Sequence, residues 1–145
     1  MSSSIFKAYD IRGKYPDEIN EKVVSEIVAA LAKHFKSGVI VVGRDARLSS
    51  PVLYKAVIKA FSVERLAFSK KNKKSKTLYP KPYTLITVGL TTTPMFYFLV
   101  NYFKAIGGIM ITASHNPKEY NGLKVVGKKA VPMSGEDVYK LITNN

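Results

Sequence analysis

The residues with the clearest chemical potential form the stretch TASHNP at residues 112–117, directly after the apolar run 109–111. Such a run predicts a buried strand, and ligands of α/β sheets bind at the carboxyl ends of strands. Ser114 offers a hydroxyl, and His115 a group that titrates near neutral pH. Neighbouring residues in an extended chain point in opposite directions, so we expect His115 to be poorly placed as a direct base for Ser114.

The surroundings of this serine favour a phosphate carrier over a hydrolytic nucleophile. No Gly-x-Ser-x-Gly elbow encloses Ser114, which argues against a hydrolase triad. Lys118 and Lys124 follow closely and could balance the charge of a phosphate. The alternative is a surface turn, because Ser, His, Asn and Pro are all common in turns.

Two further polar clusters could bind anions. In YDIRG at residues 9–13, Arg12 could present a two-pronged fork to a phosphate; the alternative is a structural turn in which Asp10 pairs with Arg12. The stretch 43–50, GRDARLSS, follows the strand-like run 39–42 and leads into a helix, whose N-terminus favours anions. Its alternative is a strand–helix connection in which Asp45 and the arginines pair with their neighbours.

The charge is strongly positive, with 23 Lys and Arg against ten acids and a net charge of +13. Such an excess attracts nucleic acid, anionic membranes or small phosphorylated molecules. Seven basic residues fall within 64–83, with Glu64 as the one acid there. With Tyr79 and Tyr83 between them, this stretch faintly suggests nucleic-acid binding, but a solvated basic insertion is the stronger interpretation.

Composition removes several classes of function. The chain has no cysteine, which excludes disulfides, zinc–thiolate sites, iron–sulfur clusters and a catalytic thiol. Two histidines leave little room for an all-histidine metal site. We find no signal peptide and no apolar stretch of the roughly 20 residues that cross a bilayer, so we expect a cytoplasmic protein.

The elements that must position these residues alternate between helix and strand, which predicts one α/β domain over 1–145: a three-layer α/β/α arrangement with a mostly parallel mixed sheet. Asn20 can cap the first helix and Ser134-x-x-Asp137 resembles a capping box before the last. The aromatic residues of the third helix are expected in the core. The sequence predicts helices over 20–36, 51–62, 94–104 and 135–142, strands over 39–42, 84–88, 109–112, 123–126 and 130–131, and an exposed basic loop over about 63–83.

Together and in this order, the motifs resemble the N-terminal domain of the α-D-phosphohexomutases, most closely the bacterial phosphomannomutase/phosphoglucomutase branch. The resemblance covers nearly the whole chain except about 63–83, where the family usually has a short turn containing glycine. It rests on YDIRG at 9–13, VVGRDARLSSP at 41–51, GLTTTPMFYF at 89–98 and GGIMITASHNPKEYNGLKVV at 107–126.

The resemblance implies interconversion of hexose 1-phosphates and 6-phosphates, with a role for each matching residue. Ser114 matches the serine that carries the phosphoryl group, and His115 the adjacent histidine that contacts substrate and helps to handle protons. Lys124 matches an acid/base or electrostatic stabiliser, and Arg12 the arginine facing the phosphoserine. Three residues are expected to bind substrate: Tyr9, Asn116 and Lys118.

The resemblance also implies Mg²⁺, with Ser114 giving one ligand through its phosphate oxygen, and hexose 1,6-bisphosphate as activator. The family's other metal ligands, its sugar-binding loop and its phosphate-anchoring loop belong to three further domains that this sequence does not include. We therefore expect the chain to bind phosphosugars but to have negligible activity alone. We expect neither nucleic acid nor membrane as partner.

Two alternatives remain from other classes. The chain could be a non-catalytic module whose basic surface binds anions or an acidic partner. It could also be an assembly piece that docks with a chain carrying complementing domains, in which case its exposed apolar faces would favour self-association.

Overall fold

The computed structural model describes residues 2–72 and 83–144, which form a mixed six-stranded sheet with helices on both faces. The strands are β1 (Ile11–Lys14), β2 (Val39–Arg44), β3 (Thr84–Leu90), β4 (Gly107–Ile111), β5 (Tyr120–Gly127) and β6 (Pro132–Met133). The helices are α1 (Glu21–Phe35), α2 (Ser50–Asn72), α3 (Thr93–Tyr102) and α4 (Gly135–Thr143), with short 3-10 turns at Ser3–Ile5 and Lys128–Ala130. The expected α/β fold is confirmed.

The sheet has the strand order β1-β5-β4-β2-β3, with β6 beside β5. Strand β2 runs parallel to β3 and β4, whereas β5 is antiparallel to β4, β1 and β6. A mixed sheet is therefore confirmed, but its parallel pairings are confined to one half. The reason is the connection 112–119 between β4 and β5, which is too short for the crossover of roughly a dozen residues that a parallel partner requires.

The central strands bury both of their faces, which explains their unbroken apolar runs. In β2, Ile40 and Val42 pack into a core shared with α1, α2 and α4, while Val41 points to the opposite core beneath α3. In β4, Ile109 and Met110 divide in the same way between the two cores. The sheet therefore forms the middle layer of three.

The helix caps are confirmed. Asn20 caps α1, its side chain accepting from the backbone N–H of Val23 at 3.1 Å. Ser134 and Asp137 form the capping box of α4. A glycine at residue 135 is needed there, because a Cβ would overlap the backbone of Lys7.

The aromatic stripe of α3 is only partly core. Phe96 is fully buried, as expected, but Phe98 and Tyr102 are 58% and 67% exposed. Their rings stack with centroids 5.8 Å apart on the outer side of the helix. The expectation that all these aromatics are core is wrong, because α3 packs on the sheet through one side only.

Three further segments have a different secondary structure from the one expected. The expected exposed loop over 63–83 is wrong for 63–72, where α2 continues to Asn72. This stretch contains neither glycine nor proline to end a helix. The two prolines that suggested a loop belong to 73–82, and that part of the expected loop lies outside the described residues. The expected strand at 130–131 is wrong as well, since the chain turns at Lys128–Ala130 before β6. Strand β1 was not expected.

No helix in the two described ranges is both long enough and apolar enough to cross a membrane.

Tyr83 fastens the start of β3 to α2. Its buried hydroxyl donates to the carbonyl oxygen of Phe61 at 2.6 Å, and the two rings meet edge to face with centroids 5.2 Å apart. Burial, helped by the negative charge of Glu64, raises the pKa of Tyr83 to about 12. The neutral hydroxyl therefore stabilises the fold.

We predict that Tyr83→Phe lowers the free energy of unfolding at pH 8 by about 1 kcal/mol, the usual value of one hydrogen bond. An unfolded tyrosine ionises near pH 10, so this stabilisation is complete below pH 10 and declines as the pH rises towards the folded-state pKa of about 12. The difference between wild type and variant should therefore shrink between pH 10 and 12 in urea unfolding followed by circular dichroism. Tyr102→Phe, at an exposed position, is the control; an equal shrinkage there would contradict the assignment.

Candidate active site

The loop between β4 and β5 forms a tight turn around Ser114. The backbone of Ser114 is left-handed, with φ of 54°, and its N–H donates to the Thr112 hydroxyl at 3.0 Å. Asn116 closes the turn by donating to the carbonyl oxygen of Ala113 from its side chain at 2.7 Å and from its backbone at 3.1 Å. These local bonds leave the Ser114 side chain exposed to solvent.

Ser114 and His115 are in contact. The serine Oγ lies 3.0 Å from the histidine Nδ1, a hydrogen-bond distance. The expectation that His115 is poorly placed as a base for Ser114 is therefore wrong. It assumed an extended backbone, whereas the left-handed conformation at Ser114 brings the two neighbouring side chains to the same side.

Arg47 reaches into this loop from the connection between β2 and α2. Its Nη1 donates to the carbonyl oxygens of Pro117 at 2.7 Å and Tyr120 at 3.1 Å. Its Nη2 donates to those of Ser114 at 2.9 Å and Asn116 at 2.7 Å. One guanidinium thus bonds four backbone carbonyls of the loop.

Asp45 holds Arg47 in turn. Its carboxylate lies 3.3 Å from the arginine Nε and accepts from the Arg47 backbone N–H at 3.0 Å and the Ser50 hydroxyl at 2.5 Å. The buried Asn121 of β5 donates to the Ser50 hydroxyl at 3.0 Å and the Ser49 hydroxyl at 2.8 Å. Of the two interpretations of residues 43–50, pairing with neighbours is therefore the one observed.

Arg12 and Lys124 share one buried carboxylate. The Asp10 side chain is 2% exposed, its Oδ1 is 2.6 Å from the Arg12 Nε and its Oδ2 is 3.5 Å from the Lys124 Nζ. The antiparallel pairing of β1 with β5 brings them together, and it is close because Gly122 has no Cβ, which would overlap the carbonyl oxygen of Ile11. Two cations are thus held side by side at the sheet surface.

A polar pocket of about 410 Å³ lies between the N-terminal segment and the Ser114 loop. Three residues predicted from the sequence line it together, namely Tyr9, Arg12 and Asn116. Lys118 instead lines a separate depression beside Leu48. Ser114 and His115 are exposed on the loop that carries Asn116, while Lys124 is joined to Arg12 through Asp10. The structure thus brings Tyr9, Arg12 and Asn116 together around one pocket and places Lys118 in another.

Sequence reasoning missed three residues of this arrangement: Asp10, Arg47 and Asn121. The sequence suggests Asp10 only as the partner of Arg12 in a structural turn. It suggests Arg47 only as one of two arginines in the stretch 43–50. Asn121 precedes a glycine, a pair typical of turns, but here it is fully buried inside β5. The contacts that give these residues their place in the site, Asp10 with Lys124, Arg47 with the Ser114 loop and Asn121 with Ser50, join distant parts of the sequence, so no local signal reveals them.

The described residues do not by themselves fit a magnesium site. Among them, no group of three or more His, Cys, Asp or Glu side chains is placed to hold a metal ion. Ser114 would contribute one oxygen, and the buried Asp10 carboxylate is already occupied by Arg12 and Lys124. A Mg²⁺ ion needs several oxygen ligands in near-octahedral geometry, so we derive no step through a metal.

The structure is thus a three-layer α/β domain with an exposed serine loop at a strand end and two cations tethered by one buried carboxylate. Comparison agrees: residues 3–64 and 72–145 match the family model described as phosphoglucomutase/phosphomannomutase, alpha/beta/alpha domain I. The chain belongs to the phosphoglucomutase/phosphomannomutase family. The match leaves out residues 65–71, within the stretch where the sequence departs from the family's pattern.

Individual relatives agree with this membership. A protein of Xanthomonas campestris pv. campestris strain B100 named "phosphohexose mutases" is 40% identical over 136 residues, covering 94% of this chain and 27% of its own length. A Klebsiella pneumoniae phosphomannomutase is 36% identical over 144 residues, covering 97% of this chain and 81% of its own length. A solved phosphoglucomutase/phosphomannomutase family protein from Burkholderia thailandensis superposes with a TM-score of 0.77 at 28% identity, covering 99% of this chain and 31% of its own.

We predict that Asp10→Asn lowers the free energy of unfolding by about 1.5–3 kcal/mol, because the carboxylate makes charge-assisted hydrogen bonds to two neighbouring cations that would then repel each other. Urea unfolding at pH 7 measures the loss. The control is Asp17→Asn, since Asp17 is exposed, and its effect should stay within about 0.5 kcal/mol. Equal effects of the two substitutions would show that the Asp10 bridge adds nothing to stability.

Proposed function

We propose that Ser114 carries the phosphoryl group in an interconversion of hexose 1-phosphates and 6-phosphates. The observation that supports this most is the contact of 3.0 Å between the Ser114 Oγ and the His115 Nδ1, on an exposed loop of a domain of this family. A hydroxyl becomes an effective nucleophile when a base within hydrogen-bond distance can take its proton. The pair has that geometry without further rearrangement.

The transfer proceeds in both directions through the serine. When Ser114 accepts a phosphoryl group from a hexose 1,6-bisphosphate, its Oγ bonds to phosphorus and the bond from phosphorus to the sugar oxygen breaks. The hydroxyl proton passes to His115, which returns a proton to the sugar oxygen that leaves. When phosphoserine donates, the same bonds break and form in reverse order.

Arg12 and Lys124 supply positive charge for this transfer. Phosphoryl transfer depends mainly on positioning and on stabilising the charge of the equatorial oxygens. The Asp10 carboxylate fixes both cations in place, so no reorganisation is needed when the phosphate arrives. We assign them to phosphate stabilisation rather than to structure alone because both keep partial exposure, 30% for Arg12 and 20% for Lys124.

The pocket of about 410 Å³ is the proposed place of the phosphosugar. Tyr9 and Asn116 can hydrogen-bond sugar hydroxyls, and Lys7, which also lines it, can attract a second phosphate. Lys118 lies apart, so we assign it only a long-range attraction for anionic substrate.

Turnover in this proposal needs more than the 145 residues of this chain. They lack a carboxylate cluster among the described residues, and the chain spans about a quarter of the length of the Xanthomonas relative. We propose that Mg²⁺ binds with phosphoserine as one ligand and with other ligands from residues beyond these, in a cytoplasmic enzyme. By itself the chain should show negligible mutase activity.

The test is a coupled mutase assay on a chimera in which this chain replaces the matching 136 residues of the Xanthomonas relative. With Mg²⁺ and hexose 1,6-bisphosphate, we predict turnover by the chimera and almost none by the 145-residue chain alone. Ser114→Ala should reduce the chimera's turnover at least about 10³-fold, because the nucleophile is removed. Peptide mass mapping should find the phosphoryl group on Ser114.

The matched control is Ser62→Ala, which removes a serine hydroxyl that donates within α2, to the carbonyl oxygen of Ile58. This variant should keep full turnover. Undiminished activity of the Ser114→Ala chimera, or phosphate mapped to another residue, would sink the assignment. Turnover by the 145 residues alone would show that the proposed need for further residues is wrong.

The high positive charge favours one second candidate, a module that binds polyanions without catalysis. Such a module should bind a short DNA duplex in about 50 mM salt and lose most of its affinity by about 200 mM, because binding releases counterions. We predict no measurable binding by fluorescence anisotropy at either concentration. Tight binding that weakens steeply with salt would favour the module. Self-association and docking with complementing domains stay predictions.

A further inference from the structure

The Ser114 loop poses a hydrogen-bonding problem that the sheet cannot solve. Between β4 and β5 the backbone leaves the strands, so its carbonyl oxygens lose their strand partners. Backbone polar groups shielded from water need replacement partners. The guanidinium of Arg47 donates to the loop carbonyls of Ser114, Asn116 and Pro117 and to that of Tyr120 at the start of β5. The Pro117 carbonyl also accepts from the backbone N–H of Tyr120 at 3.0 Å.

Both terminal nitrogens of this guanidinium donate to backbone carbonyl oxygens of the protein. An arginine side chain carries five N–H groups in a rigid plane. The two terminal nitrogens of Arg47, Nη1 and Nη2, donate to four carbonyl oxygens at 2.7–3.1 Å, and its Nε lies 3.3 Å from the Asp45 carboxylate in an ion pair. The Arg47 side chain is only 15% exposed. The terminal nitrogens of Arg47 are therefore committed to backbone carbonyls, whereas the bond described for Arg12 comes from its Nε.

We propose that Arg47 is a positioning residue that holds Ser114 in its left-handed backbone conformation, so that the Ser114 Oγ meets the His115 Nδ1. The catalytic consequence rests on the proposed function; the geometric claim does not. A serine rarely adopts a φ of 54° unless its surroundings impose it. Arg47 bonds the carbonyl of Ser114 itself and those on its C-terminal side, which are the groups that define this turn.

The contacts that hold Arg47 lead to β5, the strand that carries Lys124. Arg47 is held by Asp45, Asp45 by Ser50, and Ser50 by Asn121 of β5. Lys124 lies on the same strand, three residues along. This series of contacts therefore links the backbone of Ser114 to β5, the strand that carries Lys124.

The test reads the His115 imidazole directly. The chain contains two histidines, and His34 is exposed on α1, so it serves as an internal reference. We would record long-range ¹H–¹⁵N correlation spectra of the full 145-residue chain at pH 8, for wild type, Arg47→Gln, Arg47→Lys and Ser114→Ala. These spectra report the tautomer of each imidazole and whether its Nδ1 is hydrogen-bonded.

In wild type we expect His115 to show a hydrogen-bonded Nδ1 and one dominant tautomer. In Arg47→Gln its nitrogen shifts should move to those of Ser114→Ala, in which the hydroxyl is absent, while His34 stays unchanged. Arg47→Lys should not restore the wild-type pattern, because an ammonium group cannot reach four carbonyls in the plane of a fork. A role in stability alone would lower the melting temperature and leave the His115 pattern intact.

The matched control is Arg44→Gln, which removes a neighbouring arginine that donates to the carbonyl oxygen of Asp45 at 3.0 Å. It should leave the His115 spectrum unchanged. A folded Arg47→Gln protein with the wild-type His115 pattern would overturn the proposal. If circular dichroism shows that Arg47→Gln does not fold, Arg47→Lys is judged in the same way: a wild-type pattern overturns the proposal and a Ser114→Ala-like pattern supports it.

Kinetics separate this proposal from the proposed function. In the chimera, Arg47→Gln should lower kcat by about 10²-fold, the cost of misplacing a reacting group by roughly 1 Å, with little change in KM. A rise in KM with an unchanged kcat would show that Arg47 binds substrate and would overturn the positioning role. If Ser114→Ala keeps turnover while the His115 spectra change as expected, the proposed function fails. The positioning of Ser114 by Arg47 is then still supported.

Discussion

The whole arrangement depends on one constraint: the loop that carries Ser114 must leave the sheet without leaving its carbonyl oxygens unpaired. Arg47 meets that constraint with four bonds from one planar group. A lysine or an ordered water could satisfy part of the loop but could not set four carbonyls in one geometry. In our proposal this fork acts together with the local bonds of Ser114 and Asn116 to hold the conformation of the turn, and with it the contact between Ser114 and His115.

A second constraint is electrostatic: two neighbouring cations, Arg12 and Lys124, need a counter-charge. It involves β5, as the first constraint does. In a chain of net charge +13, Arg12 and Lys124 could not lie side by side without a counter-charge. The buried carboxylate of Asp10 provides it, and Gly122 lets β1 approach closely enough for that carboxylate to reach both cations. Because Asn121 and Lys124 share this strand, β5 is the element on which the two networks meet.

The parts predictable from the sequence are those determined by residues near one another in the chain. Asn20 and the pair Ser134 and Asp137 cap helices through contacts three residues apart, and both caps were foreseen. The contacts of Arg47 with the loop span 67–73 residues, and that of Asp10 with Lys124 spans 114. No periodicity or local spacing contains that information, so these residues were found only once the strands were paired.

The error about His115 has a general physical reason. Alternation of side chains holds for extended backbone, and the residue that breaks it here is the proposed nucleophile itself. A pair built from adjacent residues needs no long-range assembly to form, but it requires a backbone conformation that serine does not favour. The contact between Ser114 and His115 therefore depends on the residues that hold Ser114 in this backbone conformation. Ser114 and His115 remain exposed, as the proposed reaction with a phosphosugar requires, while Arg47 and Asn121, which support their loop, are largely or fully buried. In the proposed reaction, exposed reacting groups above buried supports would provide a preorganised polar environment for phosphoryl transfer.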